Sequence, residues 1–145
     1  MGTVTSQTHD RVTTPAWMLW SGRVVSVLPV LIVLMSARWK LTSESWYVQE
    51  WGRIGWQAGA LPLVASLQLV AITLYVIPPT AVLGAVLLTG YMGGAIASYV
   101  RIGEFSPPLV PLSTAMLAWL GLFLRDVRVR RLLPIRWPIG LPGRV

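Results

Sequence analysis

No cysteine occurs in the 145 residues, and histidine occurs once, at position 9. The first absence excludes disulfides, thiolate nucleophiles, iron–sulfur clusters and cysteine-type zinc sites. The second excludes a bis-histidine haem or a histidine-based metal cluster within one chain. His9 lies among Thr3, Thr5, Ser6, Gln7 and Thr8, a polar stretch in which a lone imidazole is expected to be solvated. Charge is scarce as well. Charged residues make up 12% of the chain against about 25% in ordinary soluble domains, and none lies between Arg53 and Arg101. No catalytic residue, metal or cofactor is therefore expected.

What fills the chain is apolar. Hydrophobic residues reach 54%, and the uncharged stretch 54–100 is long enough for two membrane crossings of about 20 residues each. The net charge of +7 does not point to nucleic acid, because the basic residues flank apolar segments instead of clustering on a soluble face.

The pattern predicts an all-α polytopic membrane protein, a bundle of four transmembrane helices with spans at about 16–39, 57–77, 80–100 and 105–124. A disordered tail is expected at 1–15 and a basic tail at 125–145. Arg23 interrupts the first span. A charge at the bilayer centre costs about 2.5–3.5 kcal/mol, but Arg23 is early enough to snorkel to the near interface. Trp39-Lys40 follows this span where a cleavable signal peptide would end in small residues, so the segment is expected to be retained. Between the first two spans, Tyr47, Trp51 and Ile54 recur at i, i+4 and i+7, the spacing of a short interfacial helix rich in indoles. Glu50 and Arg53, at i and i+3, are expected to form a solvated pair of little energetic weight, with guarding of an external opening as the functional alternative.

Pro78-Pro79 separates the second and third spans and forces an antiparallel hairpin. The third span is rich in small residues at helical spacing. Gly84, Gly90, Gly93 and Gly94 are the candidate helix-packing positions, because small residues let backbones approach closely in lipid. Gln68 and the Thr89–Tyr91 region fall at similar depth in this hairpin. Gln68, Thr89 and Tyr91 are thus the candidate ligand-binding residues, with a helix-joining hydrogen bond as the plainer role for Gln68. Tyr75, Tyr91 and Tyr99 are candidates to line the same site, with interface anchoring as the plainer role for tyrosines near span ends.

Seven of the twelve basic residues, Arg11 and the six from Arg125 to Arg144, lie in the tails. Arg38, Lys40, Arg53 and Arg101 lie in the loops on the other side. The excess predicts cytoplasmic termini in a cell membrane.

The stretch 74–95, with Pro78, Pro79, Thr80, Gly84, Gly90, Gly93 and Gly94 in order, resembles the hallmark segment of the DoxX-like family of small bacterial membrane proteins. The stretch 124–136, with Arg125, Asp126, Arg128, Arg130, Arg131 and Pro134, is similar to that family's ending. The resemblance implies a four-helix membrane fold and association with quinone-linked oxidoreductase complexes as a small subunit. It also implies a glutamate where this chain has Gln68, a histidine where it has Tyr99, and a basic residue where it has Pro79. Ionisable groups for a proton-coupled mechanism are then expected to be missing from the membrane interior. The resulting expectation is a non-catalytic subunit or assembly partner, contacting lipid and a membrane-protein partner or a second copy. The alternatives are a transporter or channel for a small-molecule or lipid-like ligand, and an enzyme acting on quinone whose redox cofactor is carried by a partner chain.

Overall fold

A computed structural model describes residues 16–132, and among these the chain is helical with no strand. The helices are α1 (Ala16–Leu41), α2 (Ser45–Arg53), α3 (Leu61–Val76), α4 (Ala81–Arg101), α5 (Leu109–Arg125) and α6 (Val127–Leu132). The N-terminal tail with His9, and most of the basic C-terminal tail, lie outside the described residues.

Local chemistry sets the boundaries. Ser43 adopts a left-handed φ of 50° just after α1, and Gly55 and Gly103, with φ of 85° and 80°, turn the chain after α2 and α4. Pro78 holds Ile77 in an extended conformation (φ −75°, ψ 117°), which ends α3. The turn Pro78–Thr80 then leads into α4, and the Thr80 hydroxyl donates to the Leu74 carbonyl at 2.9 Å.

Three helical stretches are long and apolar enough to cross a membrane, Ala16–Leu41, Ala58–Val76 and Pro78–Arg101. The apolar helix Leu109–Arg125 is shorter, at 17 residues. Their outer faces carry large hydrophobics such as Val24, Leu28, Leu31, Leu63, Val70, Leu83 and Met116, while alanine, serine and glycine lie inside. This inversion of the soluble pattern suits a protein solvated by lipid.

The four long helices close a ring: α1 packs on α3 and α5, and α4 packs on the same two. The tightest seams use glycines at three places. A Cβ on Gly22 would sit 2.8 Å from the Arg125 backbone nitrogen, one on Gly121 would strike Ser26, and one on Gly84 would strike the backbone of Tyr75. A Cβ on Gly90, Gly93 or Gly94 would meet nothing within 4 Å among the described residues. The buried stripe of α4 runs through Ala81, Gly84, Ala85, Leu88 and Met92. Gly90 and Gly94 lie off that stripe.

Tyr75, expected at an interface, is fully buried. Its hydroxyl donates to the Ala118 carbonyl at 2.8 Å and meets the Ser26 hydroxyl at 3.1 Å, tying α3 to α5 and α1.

Candidate functional site

The short helix α2 turns the face of Trp51 inward. Trp51 and Ile54 are buried in a cluster with Leu61, against which Tyr47, Val48, Val64 and Tyr99 pack. Rings run in near-continuous contact from Trp39 through Trp46, Tyr47 and Trp51 to Trp56, with successive centroids 5.0–6.2 Å apart.

Polar contacts fasten this aromatic layer to the end of α4. The Trp51 indole donates to the Gln57 carbonyl at 3.0 Å, and the Trp56 indole to the Ser98 hydroxyl at 3.1 Å. Arg101 donates to the Ile54 carbonyl at 2.7 Å. Arg53 bridges Glu50 on its own helix and Glu104 beyond α4. The Arg53 guanidinium holds the Glu50 carboxyl below its ordinary value, and burial pushes the Tyr47 hydroxyl up. Arg53 is itself 44% exposed, so the bridge contributes little to stability.

Between α2, α3 and α4 lies a cavity of about 230 Å³. Tyr47, Trp51, Ile54 and Trp56 form one wall, and Val64 and Leu67 another. Gly90, Gly94, Ala95 and Ser98 form the α4 side, with Tyr91 and Tyr99 beside them and Glu50 at the edge. The missing side chains at Gly90 and Gly94 leave the space open.

Behind the Tyr47 and Tyr91 rings sits a cation. Lys40 is only 1% exposed. Its ammonium donates to the Ser36 hydroxyl at 2.7 Å and to Gln68 Oε1 at 2.9 Å, and lies 5.2 Å and 5.5 Å from the centroids of the Tyr47 and Tyr91 rings. Among the described residues no carboxylate pairs with it. Neutral acceptors and ring faces thus carry the whole task of replacing its water.

The model of the DoxX-like family matches residues 24–121, from early in α1 to late in α5. The chain belongs to the DoxX-like family. Comparison with curated proteins and with solved structures gives no match. With its apolar helices, this DoxX-like chain is a multi-pass membrane protein in contact with lipid.

The structure places the three candidate ligand residues of the DoxX-like chain differently from one another. Tyr91 lines the cavity. Gln68 is fully buried and engaged with α1, accepting from Lys40 and donating to the Val33 carbonyl at 2.6 Å. Thr89 pairs with the Trp119 indole at 2.8 Å and with the Ala85 carbonyl, joining α4 to α5. The hydrogen bonds of Gln68 thus go to Lys40 and Val33 rather than to Thr89 or Tyr91, and the Lys40 ammonium touches both Gln68 and the Tyr91 ring. Lys40, expected in an external loop, is instead buried inside the bundle. A lysine directly after Trp39 reads as a flanking charge. Its signal is the Ser36/Lys40 pair at i, i+4, which puts a hydroxyl one turn below the ammonium.

Proposed function

We propose that this DoxX-like protein is a four-span, non-catalytic membrane subunit that holds a lipid-soluble molecule of the quinone class in the cavity under α2. In this reading α2 lies in the membrane interface on the side opposite the cytoplasmic termini. The observation that carries it is the cavity itself: apolar and aromatic walls that include three tyrosines, Ser98 and Glu50 as its polar lining, and a buried ammonium on two of the tyrosine rings. Sites for lipid-like ligands have this make-up, a mostly apolar surface with a few placed polar groups. Without cysteine, and with its one histidine at position 9, the chain brings no redox group of its own, so electron transfer would belong to a partner.

The test uses the indoles of Trp51 and Trp56, which line the cavity. A water-soluble quinone analogue titrated into the purified protein is expected to quench tryptophan fluorescence saturably. Copurification in mild detergent is expected to bring down a flavin- or haem-bearing partner. Quenching that stays linear in quinone concentration would overturn the ligand reading.

A second reading, a small carrier for such a ligand, draws on Lys40, because ionisable groups inside a membrane bundle often mark a transport path. Proteoliposomes loaded with the analogue separate the two: a subunit leaves it inside, and a carrier releases it faster than protein-free vesicles.

A further inference from the structure

At the opposite end of the bundle from the cavity, a cleft of about 520 Å³ opens between the start of α1, the Pro78–Thr80 turn and the end of α5. Leu19, Val76, Pro78 and Pro79 give it apolar walls, and Arg23 and Arg125 are the basic residues that line it. We propose that this cleft binds the headgroup of an anionic phospholipid, its phosphate held between Arg23 and Arg125.

The two arginines differ in how they are fixed. Arg125 is positioned from behind: it donates to the Tyr75 carbonyl at 2.6 Å, and its guanidinium carbon lies 4.6 Å from the centroid of the Tyr75 ring. Because Tyr75 is locked in the core, Arg125 is held in place before any ligand arrives. Arg23 is exposed, with its guanidinium 5.7 Å from the Trp20 ring, and is free to close on a bound group. Asp126, on the same cleft, has interactions of its own within the chain.

Two guanidiniums are opposite in sign to the single negative charge of a phosphodiester, and their N–H groups suit its oxygens. The place favours a lipid over a soluble anion. Arg23 lies two turns into α1, beside the exposed indoles of Trp17 and Trp20 that suit the headgroup layer. Val76, 52% exposed at the cleft, offers an apolar surface for the start of an acyl chain. Basic pockets between membrane helices recognise anionic headgroups in this way.

The test measures melting temperature and lipid retention by native mass spectrometry for the full chain in a neutral detergent. Phosphatidylglycerol, phosphatidylcholine and inorganic phosphate are supplied separately. Phosphatidylglycerol is expected to stay bound and to raise the melting temperature, with phosphatidylcholine and phosphate much weaker. Arg23→Gln, which removes an exposed side chain, is expected to weaken phosphatidylglycerol binding at least about tenfold, as for loss of one charge-assisted contact. The double variant Arg136→Gln/Arg144→Gln removes more charge from the tail and is expected to bind like the parent. Equal binding of phosphatidylcholine would overturn the anionic selectivity, and full occupancy by phosphate alone would overturn the lipid. Loss in the tail variant equal to that in Arg23→Gln would overturn the placement in the cleft.

Discussion

Replacing Gly90 with leucine separates a glycine that makes room for a ligand from one that makes room for a helix. An added Cβ at position 90 meets nothing within 4 Å, and the residue lines the cavity of about 230 Å³. The Cβ itself meets no clash and the rest of the side chain has the cavity to enter, and the substitution removes a helix-interior glycine that costs about 0.8–1.0 kcal/mol relative to alanine. Gly90→Leu is therefore expected to melt at or slightly above the parent temperature in detergent. Its four side-chain carbons would occupy much of the cavity, so quenching by the quinone analogue is expected to weaken at least tenfold, or about 1.4 kcal/mol. Gly84→Ala is the internal control on the same helix. Its Cβ would fall on the Tyr75 backbone, which cannot move without disturbing the α3 end, and overpacking of this kind costs about 1–3 kcal/mol. Gly84→Ala is expected to melt lower while any surviving folded protein still binds. A Gly90→Leu protein that melts well below the parent would refute the reasoning, because position 90 would then be packed against a partner or a second copy.

Gln68→Leu leaves both the Lys40 ammonium and the Val33 carbonyl short of a partner, and is expected to lower stability by about 1.5–3 kcal/mol in thermal melts. The Arg53 guanidinium depresses the Glu50 carboxyl, so the bridge contributes above the ordinary value of 4.5 and is lost as pH falls through the lower folded value. Hydrogen exchange of the α2 amides is expected to rise only below about pH 4.5 in the parent and to be insensitive to that fall in Glu50→Gln; identical profiles would remove Glu50 from the account. An alkaline phosphatase fused after Arg136 is expected to be inactive in cells, and periplasmic activity would contradict the assignment of the termini from arginine counts.

The parts legible in the sequence are those set by local spacing. Tyr47, Trp51 and Ile54 share a face because they fall at i, i+4 and i+7, and that face is turned inward. The Glu50 and Arg53 pair needed only i, i+3 proximity. Long apolar stretches without charge gave the helices, and Pro78 gave the break between two of them. What stayed hidden depended on partners far along the chain. A row of small residues says that something can come close, but not what comes. Gly22 and Gly121 make close contacts across nearly the whole chain, while Gly90, Gly93 and Gly94, more regularly spaced, border open space. Tyr75 looks like an anchor until Ser26 and Ala118 are brought to its hydroxyl.

Lys40 changes the meaning of Gln68. The resemblance implied a carboxylate at that position, and its absence suggested a neutral interior. With an ammonium 2.9 Å from the side-chain oxygen, a carboxylate there would form an ion pair and cancel the charge. The amide instead supplies one acceptor to the lysine and spends its donor on the Val33 carbonyl, so the cation is solvated but not neutralised. Tyr47 and Tyr91 then stand between that charge and the cavity, with one ring face toward the ammonium at just over 5 Å. In the proposed reading this makes the cavity wall electropositive without exposing a charge to lipid. A ligand carbonyl oxygen, which carries partial negative charge, would be favoured there over a hydrocarbon of the same shape, and the preference would fade if the lysine were paired.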